Sequence, residues 1–594
     1  MKCKPTRIAL WKRTSMTVLA LTLSASLAFA GSNKLSKDLL EQSGSNQVDV
    51  IVQFNIAPTA AYHQKVLSRG GTLKQQLGQF KGAVYTVSSS VLADLAADPD
   101  VVYISPDRPL YSTGNNKSAA VLDYHTAAIN APAAWELGLN GTGIGVAVID
   151  SGIAANSDLN SANVVFSQDF TGNFLGSLDD LMRIPNDPYG HGTHVAGIIA
   201  GTGKSSTGSK YTNTFKGIAD NVNLINLRVL DQNGAGTDSQ VIAAIQTAIA
   251  LKSIYNIRII NVSLGRPVYE SYTLDPLCQE VEQAWKSGII VVVAAGNYGR
   301  DNLADTNGYG TITAPGNDPY VITVGAMKTL GTVTRDDDVI ASYSSKGPTL
   351  FDQVIKPDLV APGNQIISLY TAAETLNVQN PGNEVPTSLY QTNGTSASSG
   401  SYFILSGTSM ATPMVSGAAA LLLQQNPNLT PDQVKARLMK SAFKNLVQFS
   451  TATDPTTGIT YSDQADIFTV GAGYLDIQAA LANSDLAPAR AGSALSPTAA
   501  VDSSGNVVLV NGSSVLGSNS VLWGTSVLWG TSVLWGTDVS GDSVLWGTGS
   551  LQGESVLWGA TADQSDSVLW GTSVLRGTSA TAGEANAIAI SNEN

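Results

Sequence analysis

Three short segments, far apart in the chain, carry residue types that together can activate an alcohol. They are Val146-Ala147-Val148-Ile149-Asp150-Ser151-Gly152, His191-Gly192-Thr193-His194-Val195-Ala196-Gly197 and Gly407-Thr408-Ser409-Met410-Ala411-Thr412-Pro413. A serine hydroxyl is a weak nucleophile unless a base takes its proton. Asp150 closes an apolar, strand-like run, and Gly152 lets the backbone turn away from it. A buried carboxylate there needs a partner, and His191 can supply a ring N–H. That bond fixes the imidazole tautomer and leaves the other nitrogen free to take a proton from Ser409. Ser409 stands where a Gly-Thr turn meets a long Ala-rich stretch, a helix start whose unpaired N–H groups favour a developing oxyanion. Alone, Asp150 would pass as a turn residue and Ser409 as a helix cap. Together the three segments point to nucleophilic catalysis.

The chain has four histidines, His63, His125, His191 and His194. His194 reads as a packed, hydrogen-bonded helix residue. A His-x-x-His pair also suits a metal, but no third-ligand motif accompanies it. Of the two cysteines, Cys3 lies in the N-terminal segment, and Cys278 reads as a small buried hydrophobe without a disulfide partner.

The three motifs resemble those of the subtilase family of serine peptidases, in that family's Asp, His, Ser order. The resemblance spans roughly residues 119–484. It implies an endopeptidase that hydrolyses proteins or peptides through an acyl-enzyme, with Asp150, His191 and Ser409 as its triad and no cofactor for catalysis. It makes Asn297, in Ala294-Ala295-Gly296-Asn297, the side-chain donor of an oxyanion hole beside the Ser409 backbone N–H. It also implies that Ser263, Leu264 and Gly265, with Ala294, Ala295 and Gly296, line the pocket for the residue before the scissile bond. Gly234 and Gly236 would flank a neighbouring edge that pairs with substrate further upstream. The segment before the catalytic region resembles the family's inhibitory prodomain. Its end, near Asp107–Thr113, would occupy the site as first substrate, with self-cleavage between about residues 106 and 120. Structural calcium is left open, with Asp187 and Asp358 as candidate ligands that would serve equally as turn or cap residues.

The elements that must position these residues are legible as runs. Short Val/Ile-rich stretches at Ile144–Ile149, Leu224–Leu230, Arg258–Val262, Ile289–Ala294 and Val321–Val324 suit parallel strands buried on both faces. Helices are expected at Gly192–Gly201, Asp238–Tyr255, Pro276–Lys286, Ser409–Gln425 and Pro431–Ser441. This alternation predicts an α/β, doubly wound, mostly parallel sheet of subtilisin type over residues 112–484. Residues 31–111 show strand-like runs at Val48–Phe54, Gly82–Val87 and Val101–Ile104 with helix-like stretches between them. One further strand before Gly82 would complete a βαββαβ, ferredoxin-like domain.

The remainder sets the context. Five basic residues, an apolar run from Met16 to Phe29 and Ala28-Phe29-Ala30 read as a signal peptide over residues 1–30, hence secretion or display at the cell surface. No other stretch is long and apolar enough to anchor the chain in a membrane. The net charge is −13, about −18 without that segment, which excludes nucleic acid as a natural partner. Residues 485–518 read as a linker, 519–578 as a low-complexity Ser-Val-Leu-Trp-Gly-Thr repeat, and 579–594 as a tail. A surface or matrix binding protein acting through those tryptophans is the alternative function. The expected partners of the enzyme are its substrates and its own prodomain.

Overall fold

The computed structural model describes residues 34–515, apart from breaks at 41–45, 78–79, 113–123, 160–162, 173–185, 303–305, 455–456, 502–506 and 512–513. The expected signal peptide, the tryptophan repeats and the C-terminal tail lie outside the described residues. The chain divides into two compact units, Met1–Arg108 and Pro109–Asn594. The division falls three residues before the boundary expected at 111.

In the first unit, strands β1 (Gln47–Phe54), β2 (Thr72–Leu77), β3 (Gly82–Ser88) and β4 (Val101–Pro106) form an antiparallel sheet in the order β2-β3-β1-β4. Helix α1 (Ala60–Leu67) follows β1 and α2 (Leu92–Ala96) follows β3. The strand missing from the sequence reading is β2. Its side chains alternate between exposed and half-buried, so no apolar run marks it. Val50, Val52 and Phe54 of β1 meet Val66, Tyr85, Leu95 and Ile104 in one apolar core.

The second unit opens with β5 (Pro109–Ser112). Its main sheet is built from β6 (Gly145–Asp150), β7 (Val164–Asp169), β8 (Asn223–Arg228), β10 (Ile257–Val262), β12 (Ile290–Ala294), β13 (Ile322–Lys328), β14 (Val339–Ile340) and β15 (Leu359–Pro362). The order is β14-β13-β12-β10-β6-β8-β7, with β15 also on β13, and every pairing except β13–β14 is parallel. A separate three-stranded sheet, β11-β5-β9, contains β9 (Ala235–Thr237) and β11 (Leu264–Gly265). All residues of β6 and β12 are buried, as in parallel strands covered on both faces. Burying each Val or Ile there contributes about 1.5–3 kcal/mol.

The helices that frame the sheet are α3 (His191–Ala200), α4 (Asp238–Tyr255), α5 (Pro276–Lys286), α6 (Thr375–Gln379), α7 (Thr408–Gln425) and α8 (Pro431–Ser441). Their starts are set by local chemistry. Thr237 and Gln240 make a capping box at α4, and Thr430 and Gln433 make another at α8. Asp275 caps α5, with Pro276 in the first turn. Helix α7 packs on α3 and lies against β10, β12 and β13.

The described residues between 485 and 515 depart from the linker reading. Ala487, Ser493, Ala494 and Ser496 are buried, and residues 498–515 supply three antiparallel strands. Ser496 is one anchor of this stretch. The buried Asp358 and Lys435 both take hydrogen-bonding partners from the Ser496 hydroxyl.

Candidate active site

Asp150 ends β6, and its Oδ1 accepts from the Ser151 N–H (2.7 Å) and from His191 Nδ1–H (2.8 Å). Both side chains are fully buried. The carboxylate can only accept, so the imidazole proton lies on Nδ1 and Nε2 is left as the acceptor. Nε2 has no hydrogen-bond partner among the described residues.

His191 begins α3, and Asp187 holds the turn that delivers it. Asp187 accepts from Ser151 Oγ (2.8 Å), Gly190 N (2.7 Å), Thr193 N (2.7 Å) and Thr193 Oγ1 (2.7 Å). Gly190 takes φ +103, where a Cβ would also collide with the Glu374 carboxyl. Glu374 comes from the stretch 371–402, which reads as an insertion. That stretch is ordered against the turn: Thr375 N donates to the Pro188 carbonyl and Leu376 N to that of Tyr189, each at 3.0 Å. Burial and then the neighbouring Asp187 push Glu374 up to about 9.

Ser409 lies in the first turn of α7, fully buried. Its hydroxyl donates to the Ser263 carbonyl (2.9 Å), and its own carbonyl accepts from Ser263 Oγ (3.0 Å). The second bond has a sequence cause. Pro413 has no N–H for the carbonyl four residues back, which leaves the Ser409 carbonyl to Ser263. The structure thus joins Asp150 to His191 but turns the Ser409 hydroxyl to Ser263, where the sequence reading had it on His191. A hydroxyl rotates readily, and a buried carbonyl claims it.

Asn297 follows β12 through Gly296, whose φ is +103. Its Oδ1 accepts from Thr408 N (2.9 Å) and Thr408 Oγ1 (3.0 Å). These bonds fix the orientation of the amide and leave the buried Nδ2 without a partner among the described residues. A donor pair so held is ready for a developing anion. Thr408 was not expected in this role, whereas Asp187 takes the turn role that the sequence left open beside metal binding. Thr408 stood beside the nucleophile, but its partner is 111 residues away.

The residues expected to bind substrate lie on two short strands and beside them. Leu264 and Gly265 form β11, beside the end of β12 at Ala294. Gly236 lies in β9, and Gly234 in the turn before it. Ser263, Ala295 and Gly296 are buried between them and α7 or the residues after β12. Between the two edges runs β5, antiparallel to both. Leu110 pairs with Gly236, Tyr111 with Ala235 and Gly265, and Ser112 with Leu264.

Neither calcium candidate has room for an ion. Four N–H and O–H donors fill the lone-pair sites of Asp187. Asp358 is held by Lys356 Nζ (2.7 Å), Thr323 N (2.7 Å), Ser496 Oγ (2.6 Å) and Lys435 Nζ (3.2 Å). Burial alone would raise Asp358, but the two ammonium groups outweigh it and hold it below the usual carboxylate range. No cluster of three or more His, Cys, Asp or Glu suited to a metal occurs among the described residues. His194 gives Nε2 to the carbonyls of Ile366 (3.2 Å) and Phe403 (3.1 Å), and burial, with the nearby His191, lowers it to about 3. Burial likewise pushes the Cys278 thiol well up.

The arrangement is that of a serine hydrolase. The Subtilase family model matches residues 141–473. Serine protease AprX of Bacillus subtilis is 39% identical over 344 residues, 56% of this chain and 68% of AprX. Subtilisin E of the same species is 32% identical over 429 residues, 72% of this chain and 92% of that protein. Fervidolysin of Fervidobacterium pennivorans, a keratinolytic enzyme related to subtilisin, shares the fold at a TM-score of 0.53 and 22% identity, covering 76% of this chain and 62% of its own. The chain belongs to the subtilase family and is a serine endopeptidase of subtilisin type.

Proposed function

We propose that this chain is an exported endopeptidase, made as a zymogen, with Ser409 as nucleophile. Ser409 leaves the Ser263 carbonyl, gives its proton to His191 Nε2 and attacks the scissile carbonyl. Asp150 holds the imidazole and stabilises its charged form. Asn297 Nδ2 and the Ser409 backbone N–H receive the oxyanion. His191 returns the proton to the leaving amine, and water then releases the acyl group. The buried Asp150–His191 bond carries this reading.

The zymogen reading is supported by β5, which lies between both edges as a bound peptide would. It also narrows the cleavage window. The last pair before the break is Ser112–Leu264, and Leu264 adjoins Ser263, the residue that holds the Ser409 hydroxyl. The bond expected to break is Thr113–Gly114, within residues that lie outside those described. Export accords with the basic and apolar N-terminus and with a relative named as an extracellular serine proteinase of Thermus. Ser409→Ala should abolish both casein hydrolysis and self-processing, while the wild-type mature chain should begin at Gly114 by mass spectrometry. A fully active Ser409→Ala variant would refute the assignment of the nucleophile.

A further inference from the structure

An ion-pair knot lies beside the two substrate edges, and the reaction chemistry does not use it. Arg266 follows β11 by one residue and is 1% exposed. Its Nε donates to Asp238 Oδ1 (2.8 Å) and Oδ2 (3.1 Å), and its Nη2 to Asp238 Oδ2 (2.9 Å). The same Nη2 reaches both oxygens of Asp275 (2.9 and 2.8 Å), while Nη1 donates to the Pro267 carbonyl (3.2 Å). Asp238 follows β9 by one residue and opens α4, and Asp275 caps α5. The guanidinium therefore links the residue after one edge to the residue after the other.

That link matters because β9 and β11 do not pair with each other. Within their sheet they are joined through the strand between them. Two strand spacings put the edges roughly 9.5 Å apart. A peptide in the slot must satisfy both ladders at once, and hydrogen bonds weaken steeply with misalignment. We propose that Arg266 is a positioning residue for extended substrates, its bridge to Asp238 fixing the width of the slot between β9 and β11. Arginine suits the task, since its planar fork holds two carboxylates at set angles where lysine offers one point charge.

The inference rests on β9 and β11 being peptide-binding edges, and the test separates the two ideas. Full-length Arg266→Lys, Asp238→Asn and Asp275→Asn chains are expressed and allowed to process, and rates are taken per titrated active site. Two substrates share the residue before the scissile bond and the leaving group; one is a single blocked amino acid and the other a tetrapeptide. For Arg266→Lys and Asp238→Asn, kcat/KM on the tetrapeptide should fall about 10- to 100-fold, with the short substrate held within about threefold. Asp275→Asn removes a like charge without touching the β9 side and should leave the ratio unchanged. Equal losses on both substrates, no loss on either, or the same altered ratio in Asp275→Asn would overturn the proposal. If Arg266→Lys yields no titratable sites, the two asparagine variants decide it. A wild-type enzyme with no preference for the tetrapeptide overturns the edge reading itself, before any variant is compared.

Discussion

Asn297→Asp isolates one hydrogen-bond donor with almost no change of shape. The native Oδ1 accepts from Thr408 N and Thr408 Oγ1, at 2.9 and 3.0 Å. A carboxylate can accept both bonds, so the turn after β12 keeps its anchors. Those two donors also favour the ionised form. The other edge changes sign: a buried N–H donor becomes an acceptor facing the developing negative charge. Loss of one such donor in a subtilisin costs about 10²–10³ in kcat, or about 2.7–4 kcal/mol of transition-state stabilisation. Asn297→Asp should reach at least the upper end, because repulsion replaces attraction. Asn297→Ala should lose the donor alone, but it also strands Thr408 N–H in the interior and so should cost about 1–3 kcal/mol of stability. The assay is kcat on a peptide anilide per titrated site, with thermal unfolding alongside. An Asn297→Asp enzyme within about tenfold of wild type in kcat would refute the claim that the free amide edge serves the reaction.

Thr408→Val should remove one of the two bonds that orient Asn297 and lower kcat about fivefold, at roughly 1 kcal/mol, with KM unchanged in steady-state kinetics. Glu374 gives a stability signature. Its pKa stands near 9 in the fold against an ordinary carboxyl value near 4.5, so between those values the unfolded chain is ionised while the fold keeps the proton. Unfolding then releases a proton, and stability falls as pH rises through that window. Glu374→Gln should flatten the slope and raise the melting temperature at pH 8, measured on inhibited enzyme to prevent self-digestion. An unchanged slope would mean that Glu374 is ionised in the fold.

The main sheet was legible wherever its strands are buried on both sides. Runs such as Ile144–Ile149 and Ile289–Ala294 are continuous because every position meets the interior. Strand β7 was missed because most of its side chains are only half-buried and its residues are mixed. Strand β15, Leu-Val-Ala-Pro, is four residues long and ends in proline. The motif residues were legible because several requirements coincide in a few adjacent letters. In Gly-Thr-Ser-Met-Ala-Thr-Pro, Thr408 holds Asn297, Ser409 carries the hydroxyl, and Pro413 frees the Ser409 carbonyl for Ser263. Arg266 was invisible for the opposite reason. Its partners lie 28 and 9 residues away, and no local pattern ties them to it. The stretch 485–518 misled because a composition rich in Ser, Ala and Gly resembles loose chain, whereas Ser496 is held by two buried charges.

The parallel sheet also explains why residues so distant in sequence meet. Ile149 of β6 pairs in register with Val262 of β10, and Val262 with Val293 of β12. One residue further along each chain stand Asp150, Ser263 and Ala294, with Ser263 just past the end of β10. Together they supply the acid that orients His191, the carbonyl that holds the Ser409 hydroxyl, and the start of the turn to Asn297. Strand spacing of about 4.8 Å makes that row roughly 10 Å wide, the scale of one peptide unit with its neighbours. A register slip at any of the three strands would move its residue to the other face of the sheet. The buried runs before the row are close-packed on both faces, so a slip would set side chains of the wrong size against their neighbours; the core thus sets the geometry on which the chemistry depends.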